Sequence, residues 1–295
     1  MFIRIAAPSS YNYIRREIIF EDDSIFNDEP INIVITHDLK SNNIFSMQHI
    51  PKIKGRVDGW VGDNFITSAF DKQYIIITDI RQRTINAYID ERYEKLNMKL
   101  FNIGSFRTHL ARIIIAYGMG VVHGGTVKHV NEDGAILVCG TSGSGKTTFC
   151  LDAILSGRYL MCSEDRSVID LETLEVKGNP VVHVYSNRLE NSFLSSCEKI
   201  RSGSCDKYSC VLDQALFVNR CRINRVVFVG KGDVSKCERV KDSEKDKKLR
   251  QMLFDIYTIK EENEIVHCLT ALKTLNVYQV TWSGDDKSFE LFEAY

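Results

Sequence analysis

Gly140, Gly145, Lys146 and Thr147 stand in the order Gly-x-x-x-x-Gly-Lys-Thr within "CGTSGSGKTTFC", residues 139–150. That spacing suits one chemistry, the grip of a phosphate chain. Glycines let backbone N–H groups curl round an anion without side-chain clash. A helix starting where the loop ends adds unpaired N–H donors and the positive end of a dipole. Lys146 can reach the outer phosphates, and the Thr147 hydroxyl can ligate Mg²⁺. The expected phosphate-binding set is Gly140, Thr141, Ser142, Gly143, Ser144, Gly145, Lys146, Thr147 and Thr148.

Two further features could act on a gripped phosphate. Glu164 and Asp165 follow the apolar run "YLMC", which places them at the end of a strand, on the edge where the loop lies. One carboxylate there can hold Mg²⁺, directly or through water. The other can accept a proton from an attacking hydroxyl. Adjacent acids after a strand also occur as plain turn residues. His123 precedes Gly124 and Gly125, one hairpin ahead of the loop. It could hydrogen-bond a terminal phosphate or orient an acceptor, or it could be structural.

These residues need a strand before the loop and a helix after it. "GAILVC" predicts the strand, and "KTTFCLDAIL" predicts the helix, with Phe149/Ala153 and Cys150/Ile154 as apolar pairs and Gly157 as the stop. "VVHGGTVKHV" pairs with the strand across the turn "NEDG". "YLMC", "RVVFVG" and "LNVYQVTW" predict further strands. Residues 1–104 read as a β-rich region, with "INIVITHD", "NFITSAF", "QYIIITDI" and "TINAYID" as strands. The turns are "DLKSNN" and "DIRQRT". Phe106, Leu110, Ile113, Ile114 and Tyr117 recur at helical spacing. They predict a linking helix from Ser105 to Gly118, and a core over 105–295. The charged stretch "KGDVSKCERVKDSEKDKKLRQ" reads as a solvated loop or helix face.

The chain has 295 residues and a formal net charge of −1, so no global field draws it to nucleic acid or an anionic membrane. No run approaches the length of a membrane span, and no apolar leader is evident, so the expected location is cytoplasmic. Nine cysteines with no C-x-x-C pair read as free thiols rather than a disulfide framework or a zinc site. His37, His49 and His109 are scattered and read as structural or exposed.

The order His-Gly, hairpin, phosphate loop, short helix ending in Gly, apolar strand and two acids resembles the catalytic core of bacterial HPr kinase/phosphorylases. The resemblance extends to their relatives, the HPr kinase-like kinases, which share an active-site fold with phosphoenolpyruvate carboxykinase. It covers residues 121 to 170. More loosely, "GNPVVHVY" and the β-rich N-terminal region are similar to stand-alone relatives found in peptide-modifying gene clusters. The resemblance implies an α/β fold with mixed sheets. It implies ATP and Mg²⁺ as cofactors, Asp165 as general base and Lys146 on the phosphate, beside which His123 stands as the catalytic candidate read from its place before the loop. It also implies Thr147 and Glu164 on the metal side, with Glu164 where the family usually has Asp. The implied acceptor is a hydroxyl, serine on a peptide or protein or free serine. A homo-oligomer is implied too, as HPr kinases resemble hexamers. A nucleotide-binding switch that transfers phosphate only to water, and a small-molecule enzyme of the carboxykinase type, remain as alternatives.

Overall fold

The chain divides into two units, Met1–Ala116 and Tyr117–Tyr295. The computed structural model describes residues 3–6, 31–36, 56–61, 65–70, 74–89, 103–186, 194–201, 206–253 and 262–283. His37, His49 and the turn "DLKSNN" lie outside these residues.

The first unit is built on one sheet. Its strands are β1 (Ile3–Ala6), β2 (Ile31–Thr36), β3 (Arg56–Val61), β4 (Phe65–Phe70), β5 (Tyr74–Asp79) and β6 (Thr84–Ile89), in the order β1-β2-β6-β5-β4-β3. β1, β2 and β6 run parallel, and β3 to β6 form an antiparallel meander. Ile31, Ile33 and Ile35 are buried at alternate positions, the period of a half-buried strand. In the "DIRQRT" turn the Asp79 carboxylate accepts the Gln82 N–H at 3.0 Å. Helix α1 (Ile103–Ala116) follows, starting two residues before the expected Ser105. Its His109 is buried and shares a 2.8 Å hydrogen bond with Thr78 Oγ1. His109 is therefore structural in this unit.

The second unit is a mixed α+β structure. Its larger sheet contains β7 (Met119–Val122), β8 (Gly124–His129), β9 (Gly134–Cys139), β10 (Tyr159–Ser163), β11 (Ser167–Asp170), β12 (Glu175–Lys177), β16 (Arg220–Lys231), β17 (Lys236–Arg239) and β18 (Asn276–Trp282). The path runs β10-β8-β9-β16-β12-β11-β7, with β18 beside β16 and β17 beside β18. β9, β16 and β18 are parallel neighbours, and β8 and β9 form the expected hairpin. A smaller antiparallel sheet holds β13 (Val181–Tyr185), β14 (Leu194–Arg201) and β15 (Lys207–Leu212), in the order β13-β15-β14. Helices α2 (Lys146–Leu155), α3 (Asp242–Leu253) and α4 (Glu262–Lys273) complete the unit. The charged stretch thus ends in α3, which buries Leu249, Met252 and Leu253 together with Lys245, whose ammonium donates to the Leu275 carbonyl at 3.2 Å.

Helix α2 is the centre of the packing. Phe149, Cys150, Ala153 and Ile154 join one apolar cluster with Val127, Val138 and Val227 of the larger sheet, and with Val182, Val184 and Leu212 of the smaller one. Phe149 also meets Trp282 edge-on, with ring centroids 6.1 Å apart. Truncating a buried ring of this kind costs about 3–5 kcal/mol, so the cluster sets where the helix N-terminus points.

One expectation is corrected. Cys197 and Cys210 are joined as a disulfide rather than standing as free thiols. Spacing alone hides this, because the pair forms only when β14 and β15 align, opposite an irregularity between Ser195 and Glu198. Among the described residues, Cys139, Cys150, Cys162, Cys221, Cys237 and Cys268 are buried and outside any disulfide.

Candidate functional site

The glycine loop occupies the gap between the end of β9 and the start of α2. Gly140, Gly143 and Gly145 all have positive φ (152°, 77° and 97°). At Gly140 space also forbids a side chain, since a Cβ would meet Ser144 Oγ at 2.5 Å and the Val229 carbonyl at 2.6 Å. At the other end, Gly145 lies under the Trp282 ring, and the Lys231 side chain passes within 3.6 Å of where its Cβ would be. Strand β16 therefore presses on both ends of the loop. Lys146 Nζ donates to the carbonyls of Gly140 at 2.9 Å and Thr141 at 3.1 Å, so its charge lies across the loop.

The two acids part company. Glu164 is buried, with 5% of its surface exposed. One of its oxygens accepts the Thr147 hydroxyl, and the other lies 2.9 Å from His183 Nδ1. Asp165 turns outward, its side chain one-third exposed, and its Oδ1 lies 3.4 Å from His123 Nε2. The strand ends at Ser163, and the bend that follows turns the two neighbouring side chains to different sides.

What holds these groups is a set of buried contacts beneath them. The Ser167 hydroxyl shares hydrogen bonds with Thr126 Oγ1 (2.8 Å) and Ser163 Oγ (2.7 Å), and donates to the Gly124 carbonyl (2.9 Å). This ties the strand behind His123 to the turn that carries Glu164 and Asp165. Gly125 lets the two approach: a Cβ there would sit 3.0 Å from Cys150 Sγ and 3.2 Å from the Ser163 carbonyl. The His123 N–H donates to the Met252 carbonyl at 3.2 Å, fixing its backbone against α3. Burial pushes the Cys139 and Cys150 thiols far above their ordinary range, so they serve as neutral packing groups rather than nucleophiles.

One cleft of about 320 Å³ brings most of the expected residues together: His123, Ser142, Gly143, Gly145, Lys146, Thr147, Thr148 and Asp165. Gly140, Thr141 and Ser144 line a neighbouring cleft of about 290 Å³ instead, so the loop forms the wall between the two. Glu164 lies behind the first cleft. Four polar residues of the first cleft escaped the sequence reading. Lys231 lines both clefts, and His183, Tyr185 and Lys207 line the first. For His183 a signal was available, since a histidine inside the apolar run "VVHVY" needs a polar partner when the strand is buried.

A solved structure, that of the Hpr(Ser) kinase/phosphatase from Coxiella burnetii, is similar to this chain at 10% sequence identity. The alignment covers 59% of this chain and 95% of that one, with a TM-score of 0.30. A likeness at that TM-score decides neither fold nor activity. No protein-family model and no curated protein matches the chain.

The local geometry fits a polyphosphate. The loop's glycine backbone leaves no room for side chains at its start, and Lys146 lies over it. The Ser144 hydroxyl is buried without a hydrogen-bond partner among the described residues. Thr147 and Glu164 offer adjacent hard oxygen donors, the type that Mg²⁺ takes. Among the described residues no group of three or more His, Cys, Asp or Glu side chains could hold a metal ion alone. Phosphate oxygens and water would have to supply the remaining ligands, as is usual for this ion. Among the described residues no helix is long and apolar enough to cross a membrane.

Proposed function

We propose that this chain is a Mg²⁺- and ATP-dependent phosphotransferase. Its Tyr117–Tyr295 unit is the phosphate-loop kinase core, and it hands the γ-phosphoryl group to a hydroxyl: serine of a peptide or protein, or free serine. The observation that carries the reading is the divergence of the two acids. Glu164 is held inside against Thr147, whereas Asp165 opens on the cleft that Lys146 and the loop line.

In this reading the loop N–H groups, the start of α2 and Lys146 bind the phosphate chain. Lys231, on the opposite flank of the loop, adds a second cation. Thr147 and Glu164 hold Mg²⁺, which neutralises charge on the phosphates. Asp165 accepts the acceptor's hydroxyl proton, and His123 keeps its carboxylate turned toward the cleft. The chain's own contribution is positioning and electrostatics, which supply most of the catalysis in phosphoryl transfer. An outward acid beside the loop is placed to take a proton from an attacking hydroxyl, and this favours transfer over binding alone.

ATP turnover with and without hydroxyl acceptors tests the reading. Slow turnover that rises when a serine peptide or free serine is supplied supports it. Hydrolysis at one rate whatever is added, with nothing phosphorylated, assigns the chain to the nucleotide-binding switches.

A further inference from the structure

Glu164 presents a physical problem. A carboxylate taken out of water must be fully partnered, or it neutralises or leaves. A glutamate has three rotatable bonds, so even a partnered one can swing unless both oxygens are tied. One oxygen is tied to Thr147. The second is tied to His183, which is itself buried, with 5% of its surface exposed.

His183 is in turn fixed from three directions. Its neighbours Val182 and Val184 are locked into the apolar cluster around α2, which sends the His183 side chain to the opposite face. Across the strand pair His183 stands opposite the buried Ser209. Just ahead of β13, the Asn179 N–H donates to the Cys162 carbonyl at 2.7 Å, and its side chain accepts the Val181 N–H at 2.9 Å. The strand carrying His183 is thus stitched to the strand that delivers Glu164, two residues before the acid.

We propose that His183 is a positioning residue for the cation site. With the ring proton on Nδ1, its imidazole donates to one Glu164 oxygen and holds the other against the Thr147 hydroxyl, so that two oxygen donors stand ready for a divalent cation. The proposal rests on the phosphotransferase reading for what the cation serves, but it concerns how the chain builds the site. Partners behind metal ligands orient them and tune affinity, and their loss typically costs about 10–100-fold in metal binding.

Titration of Mn²⁺ into the protein saturated with a non-hydrolysable ATP analogue tests this, with EPR or calorimetric readout. His183→Phe keeps the ring but removes the donor, and should weaken the cation by about 10–100-fold. Analogue binding in EDTA should be unchanged. His183→Asn places an amide N–H where Nδ1 stood and should restore most of the affinity. His183→Gln reaches instead to the Nε2 position and should not. In a Glu164→Gln background, His183→Phe should cost nothing further. In turnover the loss should appear in the Mg²⁺ concentration for half-maximal rate, not in the rate at saturating Mg²⁺. If His183→Phe does not fold, the Asn/Gln contrast carries the test. Equal cation affinity in wild type and in every folded His183 variant overturns the proposal and leaves the phosphotransferase reading standing. A wild-type protein that binds neither analogue nor cation overturns both.

Discussion

His123 Nε2 and Asp165 Oδ1 lie 3.4 Å apart at the mouth of the cleft, both partly exposed, on strand ends that a buried serine–threonine cluster holds together. The contact is within ion-pair reach and longer than a tight hydrogen bond, as expected of a catalytic pair that closes only around substrate. His123→Ala should therefore leave Mg-ATP affinity unchanged and lower transfer by about 10²-fold, the cost of a misplaced reacting group. Nucleotide titration alongside initial rates checks it. A fall in affinity that matches the fall in rate would move His123 to the nucleotide side.

Lys146 bridges two loop carbonyls with the charge that a phosphate would claim. Lys146→Ala should fold normally and lose transfer. Wild type at a ligand concentration one hundred times Kd gains about 2.7 kcal/mol of stability. Thermal unfolding with Mg-ATP should show that gain in wild type and little of it in the variant. Equal stabilisation of both proteins contradicts the assignment.

Thr147 gives its hydroxyl to Glu164 while facing the cleft. Thr147→Val removes one donor from a buried carboxylate that keeps His183, a stability cost of about 1.5–3 kcal/mol. The Mg²⁺ requirement should rise far more than stability falls. Activity against Mg²⁺, read beside a denaturant curve, separates the two effects. An unchanged Mg²⁺ requirement contradicts the metal-ligand role.

Cys139 and Cys150 are buried behind the loop, and desolvation raises both thiols well above the ordinary value of 9.0. The folded state therefore holds their protons more tightly than the unfolded state. Their contribution to stability is complete below the unfolded pKa, about 8.5, and is lost as pH rises above it. The urea midpoint should fall from about pH 8 to about pH 10, and it should fall less in Cys150→Ala. An equal fall in both proteins would show that the thiol is not responsible.

The loop, α2 and the acids were legible in the sequence because each depends on neighbours in the chain. Glycine spacing, helical period and an apolar run are local signals. β3, "RVDGWV", escaped because Asp58 and Gly59 break its apolar alternation, and β1 escaped because it is only four residues long. Lys231 and His183 depend on topology. Lys231 reaches the loop because β16 lies parallel to β9, a pairing between segments more than eighty residues apart in the chain. His183 meets Glu164 across nineteen residues, through two sheets that no local pattern orders. The Cys197–Cys210 bond was hidden for the same reason, since it appears only once β14 and β15 are in register.

On the phosphotransferase reading, Asp165 takes the proton of a hydroxyl acceptor. The direct test follows radiolabel from γ-³²P-ATP into a serine-peptide library and into free serine, using wild type and Asp165→Asn at matched nucleotide occupancy. Label should appear on a serine hydroxyl with wild type. With Asp165→Asn it should fall by about 10²–10⁴-fold, while Mg-ATP binding persists. Near-wild-type labelling by Asp165→Asn, or wild-type label recovered only as inorganic phosphate, contradicts the account.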